Sequence, residues 1–304
     1  MQKLLEGRVV IVTGAGAGLG RAYTFALAQQ GAKVVVNDIA GDDADSPAGR
    51  IVEEIRRNGG EAVAVGGDVT SFSDMQAVAA RATETWGRID GLVCNAGILR
   101  DKSFTKLSLE DFAKVLDVHV MGSVHAIKAV WDGMRAQGYG RIVLTTSSSG
   151  LFGNFGQSNY AAAKMALVGL MQTLALEGAS KNVRVNCIAP IAATGMTEGV
   201  LTPESLQRLA PAAVSPAVIA LLSEQAPTRQ ILLAGGGSLE ASHITMTRGI
   251  HLGDAIHNPD AAAVILQRLQ EIADRESDRV PGTGFEQCQW ELEKAGFHMD
   301  LPGK

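Results

Sequence analysis

Val9-Val10-Ile11-Val12-Thr13-Gly14-Ala15-Gly16-Ala17-Gly18-Leu19-Gly20 is the stretch that decides the fold of this chain. Four β-branched residues read as a buried strand, and residues from about 19 to 29 carry apolar side chains at helical spacing. Between strand and helix, Gly14, Gly16, Gly18 and Gly20, with Ala17 and Leu19 among them, permit a tight turn and close backbone approach. Free N–H groups and the dipole at a helix N-terminus favour an anion such as a pyrophosphate there. A second strand at 33–37 runs into Asp38, a carboxylate placed to accept both ribose hydroxyls of an adenosine. The same charge would repel a 2′-phosphate, which points to NAD rather than NADP. Arg21 offers a compensating charge, so the preference stays open at this stage.

The alternation continues outward. Strand-like stretches at 9–12, 33–37, 61–65, 91–94, 141–145, 183–188 and 230–233 are separated by helix-like segments. These lie at about 19–29, 46–58, 73–86, 108–136, 158–179 and 203–223. Unbroken apolar strands between helices predict a parallel sheet covered on both faces, the α/β doubly wound or Rossmann fold. After Gly235-Gly236-Gly237 come one more extended stretch at 242–247, a helix-like segment at 259–272, and charged, mixed sequence. The expected organisation is a single cofactor-binding domain over 1–247 and a helical C-terminal extension over 248–304.

Composition narrows the function classes. Apolar residues make up 46% of the 304 residues, enough buried surface to exclude intrinsic disorder. With 27 basic and 32 acidic side chains the formal charge is −5, so no nucleic-acid partner is expected. Cys94, Cys187 and Cys288 are odd in number and far apart, which suggests neither a disulfide framework nor a zinc cluster. His251 and His257 lack the i, i+4 spacing of a zincin pair, and no metal is expected. No stretch approaches the ~20 apolar residues of a membrane span, and no signal peptide is legible. The expectation is a cytoplasmic protein without a membrane partner.

Chemistry concentrates in the middle of the chain. In Tyr160-Ala161-Ala162-Ala163-Lys164 the spacing of four puts both side chains on one helix face. A free phenol, with pKa about 10, is a poor base near pH 7, and an adjacent ammonium is expected to lower it. Ser147, at the end of the fifth strand, would place a hydroxyl beside that tyrosine to hold a substrate oxygen. Asp68-Val69 after the third strand and Asn95-Ala96-Gly97 after the fourth are expected to line the cofactor crevice.

Taken together, these residues resemble the short-chain dehydrogenase/reductase family over roughly residues 5–245. Thr13 to Gly20 is similar to its cofactor loop, Asn95-Ala96-Gly97 to its central-strand motif, and Ser147, Tyr160 and Lys164 to its catalytic positions. The resemblance implies a two-electron oxidoreductase in which Tyr160 moves the proton of an alcohol or carbonyl and Ser147 positions the reacting oxygen. It also implies that Lys164 holds the nicotinamide ribose, and that the long helices at 108–136 and 158–179 pair subunits in a homodimer or homotetramer.

Two departures stand out. His119, in Leu116-Asp117-Val118-His119-Val120-Met121-Gly122, occupies the place of an asparagine that anchors a proton relay; relay member and satisfied helix histidine are both open. Ala189-Pro190-Ile191 replaces the usual Pro-Gly pair after the sixth strand, where Pro190, Ile191 and Thr194 are expected near the nicotinamide.

The pieces 118–123, 153–160 and 188–197 resemble one branch, the (3R)-hydroxyacyl-CoA dehydrogenase part of type 2 multifunctional β-oxidation enzymes and its bacterial relatives. This implies an apolar small-molecule substrate, acyl-CoA or steroid, oxidised with NAD. The alternatives are an NADPH-dependent 3-oxoacyl reductase of lipid synthesis and a non-catalytic NAD-binding sensor. A lid-like segment at 192–222, with Met196, Val200, Leu201, Leu206, Leu209, Leu221 and Leu222, could cover a greasy substrate or face the core. Arg100, Lys102 and Lys106 could meet CoA phosphates or form a solvated loop.

Overall fold

The computed structural model describes residues 3–194 and 202–298. The strands are β1 (Val9–Val12), β2 (Lys33–Asp38), β3 (Glu61–Gly66), β4 (Gly91–Cys94), β5 (Gly140–Thr145), β6 (Val183–Pro190), β7 (Ile231–Gly235) and β8 (Ser238–Ser242). The helices are α1 (Gly18–Gln29), α2 (Pro47–Arg57), α3 (Phe72–Trp86), α4 (Leu109–Leu116), α5 (Gly122–Gln137) and α6 (Ser148–Phe152). They continue as α7 (Ser158–Gly178), α8 (Pro203–Arg208), α9 (Ser215–Leu222), α10 (Ala261–Gln267), α11 (Leu269–Ile272) and α12 (Phe285–Lys294).

The strands form one sheet in the order β3-β2-β1-β4-β5-β6-β7-β8, parallel except for β8 against β7. Successive side chains of a strand point to opposite faces, and the sequence fills both. Val9, Ile11, Val35, Leu92, Ile142 and Leu144 enter one apolar layer, with Met134 of α5 and Leu167 of α7. Val10, Val34, Val93 and Val143 enter the other, with Leu27 of α1, Ile55 of α2 and Leu221 of α9. Chain order reverses between β1 and β4, so the loops leaving these strands part and leave a crevice at their C-terminal ends. The doubly wound sheet is thus the expected one.

Four details differ from the sequence reading. The helix expected over 108–136 is broken by a widened π-type turn, Asp117–Met121, which joins α4 to α5. The helix expected over 203–223 is broken at a short 3₁₀ turn, Pro211–Ala213, because proline at 211 and 216 cannot donate to a continuous ladder. An eighth strand precedes the extended stretch expected at 242–247: Gly236 and Gly237, at φ +57° and +86°, close a tight hairpin onto β7. α12 falls within the sequence read as charged and mixed.

The chain divides into two compact units, one reaching Ser242 and one starting at His243. In the second, Met246 bridges to Arg279, whose guanidinium lies 4.2 Å over the Trp290 ring. Ala261 is the single buried hydrophobic residue among those described there.

Candidate active site

The loop after β1 is shaped by what its residues lack. Gly14 and Gly18 have φ of +60° and +53°. A Cβ on Gly14 would stand 2.7 Å from the Ala96 Cα, and one on Gly20 2.3 Å from the Gly14 carbonyl oxygen. Asn95 ties this loop to the end of β4, its Nδ2 donating to the carbonyls of Thr13 at 3.0 Å and Gly14 at 2.9 Å. The Thr13 hydroxyl accepts from the N–H groups of Asn95 and Ala96. Thr13, which the sequence marks only as the first residue of the loop, thus also tethers the loop to β4.

Ala17 is the extended N-cap of α1 and offers no capping side chain, while Leu19 packs against the core below. Asp38 reaches the loop from β2, and its Oδ2 accepts the Gly16 N–H at 2.8 Å. Thr194 faces the other side, its Cγ2 3.4 Å from where a Gly18 Cβ would lie. Pro190 ends β6, and the half-exposed Ile191 is fixed by its N–H to the Ala234 carbonyl at 2.9 Å. Asp68 turns its carboxylate to the Thr70 N–H, and Val69 is buried against the start of α5. A cradle that Cβ atoms would fill, with a carboxylate fixed at its mouth, fits a nicotinamide dinucleotide.

Across the crevice, Ser147 caps α6 and its Oγ accepts the Ser149 N–H at 3.1 Å. Tyr160 stands in the first turn of α7 and Lys164 one turn on, its Nζ 5.4 Å from the Tyr160 ring centroid. Lys164 is buried and donates to the Thr145 carbonyl at 2.6 Å; burial brings its pKa down to about 7. The Tyr160 phenol is raised above its ordinary value, by burial first, and Asp101 adds to the rise while the Ser147 hydroxyl opposes it. This differs from the expected lowering by Lys164. The ammonium is aimed at the strand-end carbonyl, and the cost of burying a phenolate dominates.

His119 lies in the widened turn, buried, with its ring edge-on to Tyr160 at 5.3 Å between centroids. Its Nε2 lies 3.1 Å from the Ile98 N–H nitrogen and 2.8 Å from the Ile98 carbonyl oxygen, and Nδ1 has no partner among the described residues. Burial first, then Lys164, brings its pKa down to about 3. The ring is therefore neutral at working pH. It also fills the space at Gly97, where a Cβ would meet the ring at 2.3 Å.

Of the lid-like segment, Met196, Val200 and Leu201 lie outside the described residues. Leu221 and Leu222 are buried in the core, and Leu206 and Leu209 are half-buried. Arg100 and Lys102 turn to Asp111, at 3.7 and 2.9 Å. Among the described residues no group of three or more His, Cys, Asp or Glu side chains could hold a metal ion, and no helix is long and apolar enough to cross a membrane.

With the site's geometry in place, the chain can be set beside known proteins. Residues 8–204 match the family described as short chain dehydrogenase. The chain belongs to that family. A Mycobacterium tuberculosis protein named as a short-chain type dehydrogenase/reductase is 44% identical over 91% of this chain and 98% of its own length. The mouse peroxisomal multifunctional enzyme type 2 is 49% identical over 72% of this chain but only 30% of its own, so the match is to one part of that protein. A 7α-hydroxysteroid dehydrogenase solved with NADH and 7-oxo glycochenodeoxycholic acid superposes with a TM-score of 0.71. It is 34% identical and covers 78% of this chain and 96% of that one. The chain is thus a short-chain oxidoreductase with relatives among the type 2 multifunctional enzymes.

Proposed function

We propose that this oxidoreductase is an NAD-dependent dehydrogenase of secondary alcohols, acting on 3-hydroxyacyl-CoA or hydroxysteroid substrates. The observation that carries the cofactor choice is the Asp38 carboxylate held by the Gly16 N–H, where a 2′-phosphate would meet a like charge. The nicotinamide, when bound, takes up or gives back the hydride. Gly14 to Gly20, Asp38, Asp68, Val69, Asn95 to Gly97, Tyr160, Lys164, Pro190, Ile191 and Thr194 are the residues we assign to holding the dinucleotide.

The remaining chemistry belongs to the crevice. Ser147 holds the substrate oxygen by its hydroxyl, and Tyr160 removes the hydroxyl proton as the alcohol is oxidised, or returns it to the carbonyl in reverse. Desolvation keeps Tyr160 protonated at rest, so its ionisation must be stabilised within the assembled site. A cationic Lys164 would do this once the site is assembled; with its pKa near 7 it is about half charged at neutral pH, gains charge below and loses it above. The neutral His119 braces the Ile98 backbone and carries no charge through the cycle.

Phe104, Phe152 and Phe155 are largely exposed around these loops and suit an apolar substrate. The relationship to the multifunctional enzymes and to the steroid dehydrogenase supports the same two substrate classes. We read α5 and α7, which keep Met121 beside α5 and Met165 and Leu176 partly exposed, as the pairing faces of a homo-oligomer.

Initial rates with NAD and NADP across hydroxyacyl-CoA thioesters, free hydroxysteroids and short alcohols test this reading. Like-charge contact at Asp38 should favour NAD by on the order of tenfold or more, and Asp38→Ala should narrow the gap. Preference of the unmodified protein for NADP would overturn the cofactor assignment, and equal rates on short alcohols would overturn the substrate class.

A further inference from the structure

The mouth of the crevice has a hub that the chemistry above does not use. Gln157, at the N-cap of α7, spends both ends of its amide. Its Oε1 accepts from the Ser149 hydroxyl at 2.8 Å and from Asn154 Nδ2 at 3.0 Å, and its Nε2 donates to Asp101 Oδ2 at 2.6 Å. Two further bonds fasten the same loop to this helix and to the turn just before it. The Lys102 N–H donates to the Gly156 carbonyl at 2.9 Å, and Asn159 Nδ2 donates to the Arg100 carbonyl at 3.1 Å. The loop after β4, α6 and the first turn of α7 are thus joined through one side chain, three residues before Tyr160.

The charge distribution around this hub is uneven. The two cations flanking Asp101 in sequence, Arg100 and Lys102, turn to Asp111 instead. Among the described residues Asp101 makes no ion pair, and its firm partner is the neutral Gln157 amide. Among the described residues, the groups placed around Tyr160 are Lys164 one turn on in its own helix, His119 from the widened turn, Ser147 from the end of β5 and, three residues before it, Gln157 with the Asp101 carboxylate on its amide. Of these, Asp101 alone brings negative charge.

We propose that Gln157 and Asp101 form a positioning clamp for Tyr160, in which the amide holds the carboxylate at the start of α7 and fastens the loop after β4 onto the first turn of that helix. The clamp opposes ionisation of Tyr160 when the crevice is empty and sets the pH at which proton removal begins. It rests on the reading of Tyr160 as the proton-handling group.

The chain holds only three tyrosines, Tyr23, Tyr139 and Tyr160, so ultraviolet titration of phenolate can isolate one of them. Subtracting the Tyr160→Phe curve from each variant's curve leaves the Tyr160 ionisation. Asp101→Asn, isosteric and uncharged, should move that midpoint to lower pH by roughly half a unit, a modest shift because Asp101 is exposed and screened. The rising limb of kcat/KM for alcohol oxidation should move with it.

Gln157→Glu keeps the shape but sets two carboxylates face to face, which can share a proton only in acid. Its kcat/KM relative to the unmodified protein should therefore fall several-fold as pH rises from about 5 to 8. An unshifted Tyr160 midpoint in Asp101→Asn, or a Gln157→Glu ratio that is flat with pH, overturns the clamp. Full turnover in Tyr160→Phe would instead overturn the assignment of the proton-handling group, so the two failures are distinct.

Discussion

The two halves of the crevice are specified by opposite means. On the cofactor half the information lies in missing side chains: a Cβ would stand within 2.7 Å of a neighbour at Gly14, Gly16, Gly20 and Gly97. Its contacts are backbone groups bound to Asn95, Thr13 and Asp38. On the substrate half the information lies in side chains that are present, in the Ser147, Tyr160 and Lys164 set and the Gln157 hub, with exposed phenylalanines around them. Binding a constant ligand asks for a rigid backbone mould, whereas handling a proton asks for adjustable polar groups. Mutations should fail differently in the two halves.

Tyr160→Phe should give the largest separation. It should lower kcat/KM by about 10³-fold or more while leaving the affinity for dinucleotide, read by fluorescence titration, nearly unchanged. A parallel loss of cofactor affinity would erase the distinction between the halves.

Gly20→Ala should show the reverse pattern. The added methyl would lie 2.3 Å from the Gly14 carbonyl oxygen and 2.6 Å from Asn95 Nδ2, so the mould must shift. Overpacking of this kind costs about 1–3 kcal/mol. The expected readouts are a lower Tm and dinucleotide binding weakened on the order of 10–100-fold. Unaltered affinity would show that the loop yields freely.

His119 touches both halves, through Gly97 and Tyr160, and its effect should be the smallest. Its folded-state pKa of about 3 lies below the ordinary 6.5, so below pH 6.5 the unfolded chain binds a proton that the folded chain refuses. The stabilisation is complete above pH 6.5 and is lost as pH falls toward about 3, reaching roughly 2 kcal/mol of loss by pH 5. Urea unfolding at pH 7 and pH 5 measures this. His119→Asn should flatten the slope, and an unchanged slope would place the acid sensitivity elsewhere.

The cofactor half was largely legible in the sequence, because glycine spacing after a strand and an acid ending the next strand are local signals. Tyr160 and Lys164 were legible for the same reason, four residues apart on one helix. The Gln157–Asp101 contact was not, since it joins residues 56 positions apart and becomes visible only once α7 lies beside the loop after β4. The direction of the Tyr160 shift was missed because neighbours can be read from spacing and desolvation cannot. The hairpin at Gly236-Gly237 was not legible, because its return strand, Ser238–Ser242, is mostly exposed and carries no apolar run.

The widened turn at Asp117–Met121 has a consequence for how the chain tolerates change in length. Each residue of a regular helix advances the spiral by about 100°, so a turn holding one extra residue offsets the buried stripe of α5 against that of α4. Ala126, Ile127, Val130 and Met134 are buried with that offset in place. Removing a single residue between 117 and 121 would restore an unbroken helix and at the same time rotate the whole of α5 out of phase. The irregular stretch behaves as a phase-setting spacer, and regularising it would be more disruptive than many substitutions within it.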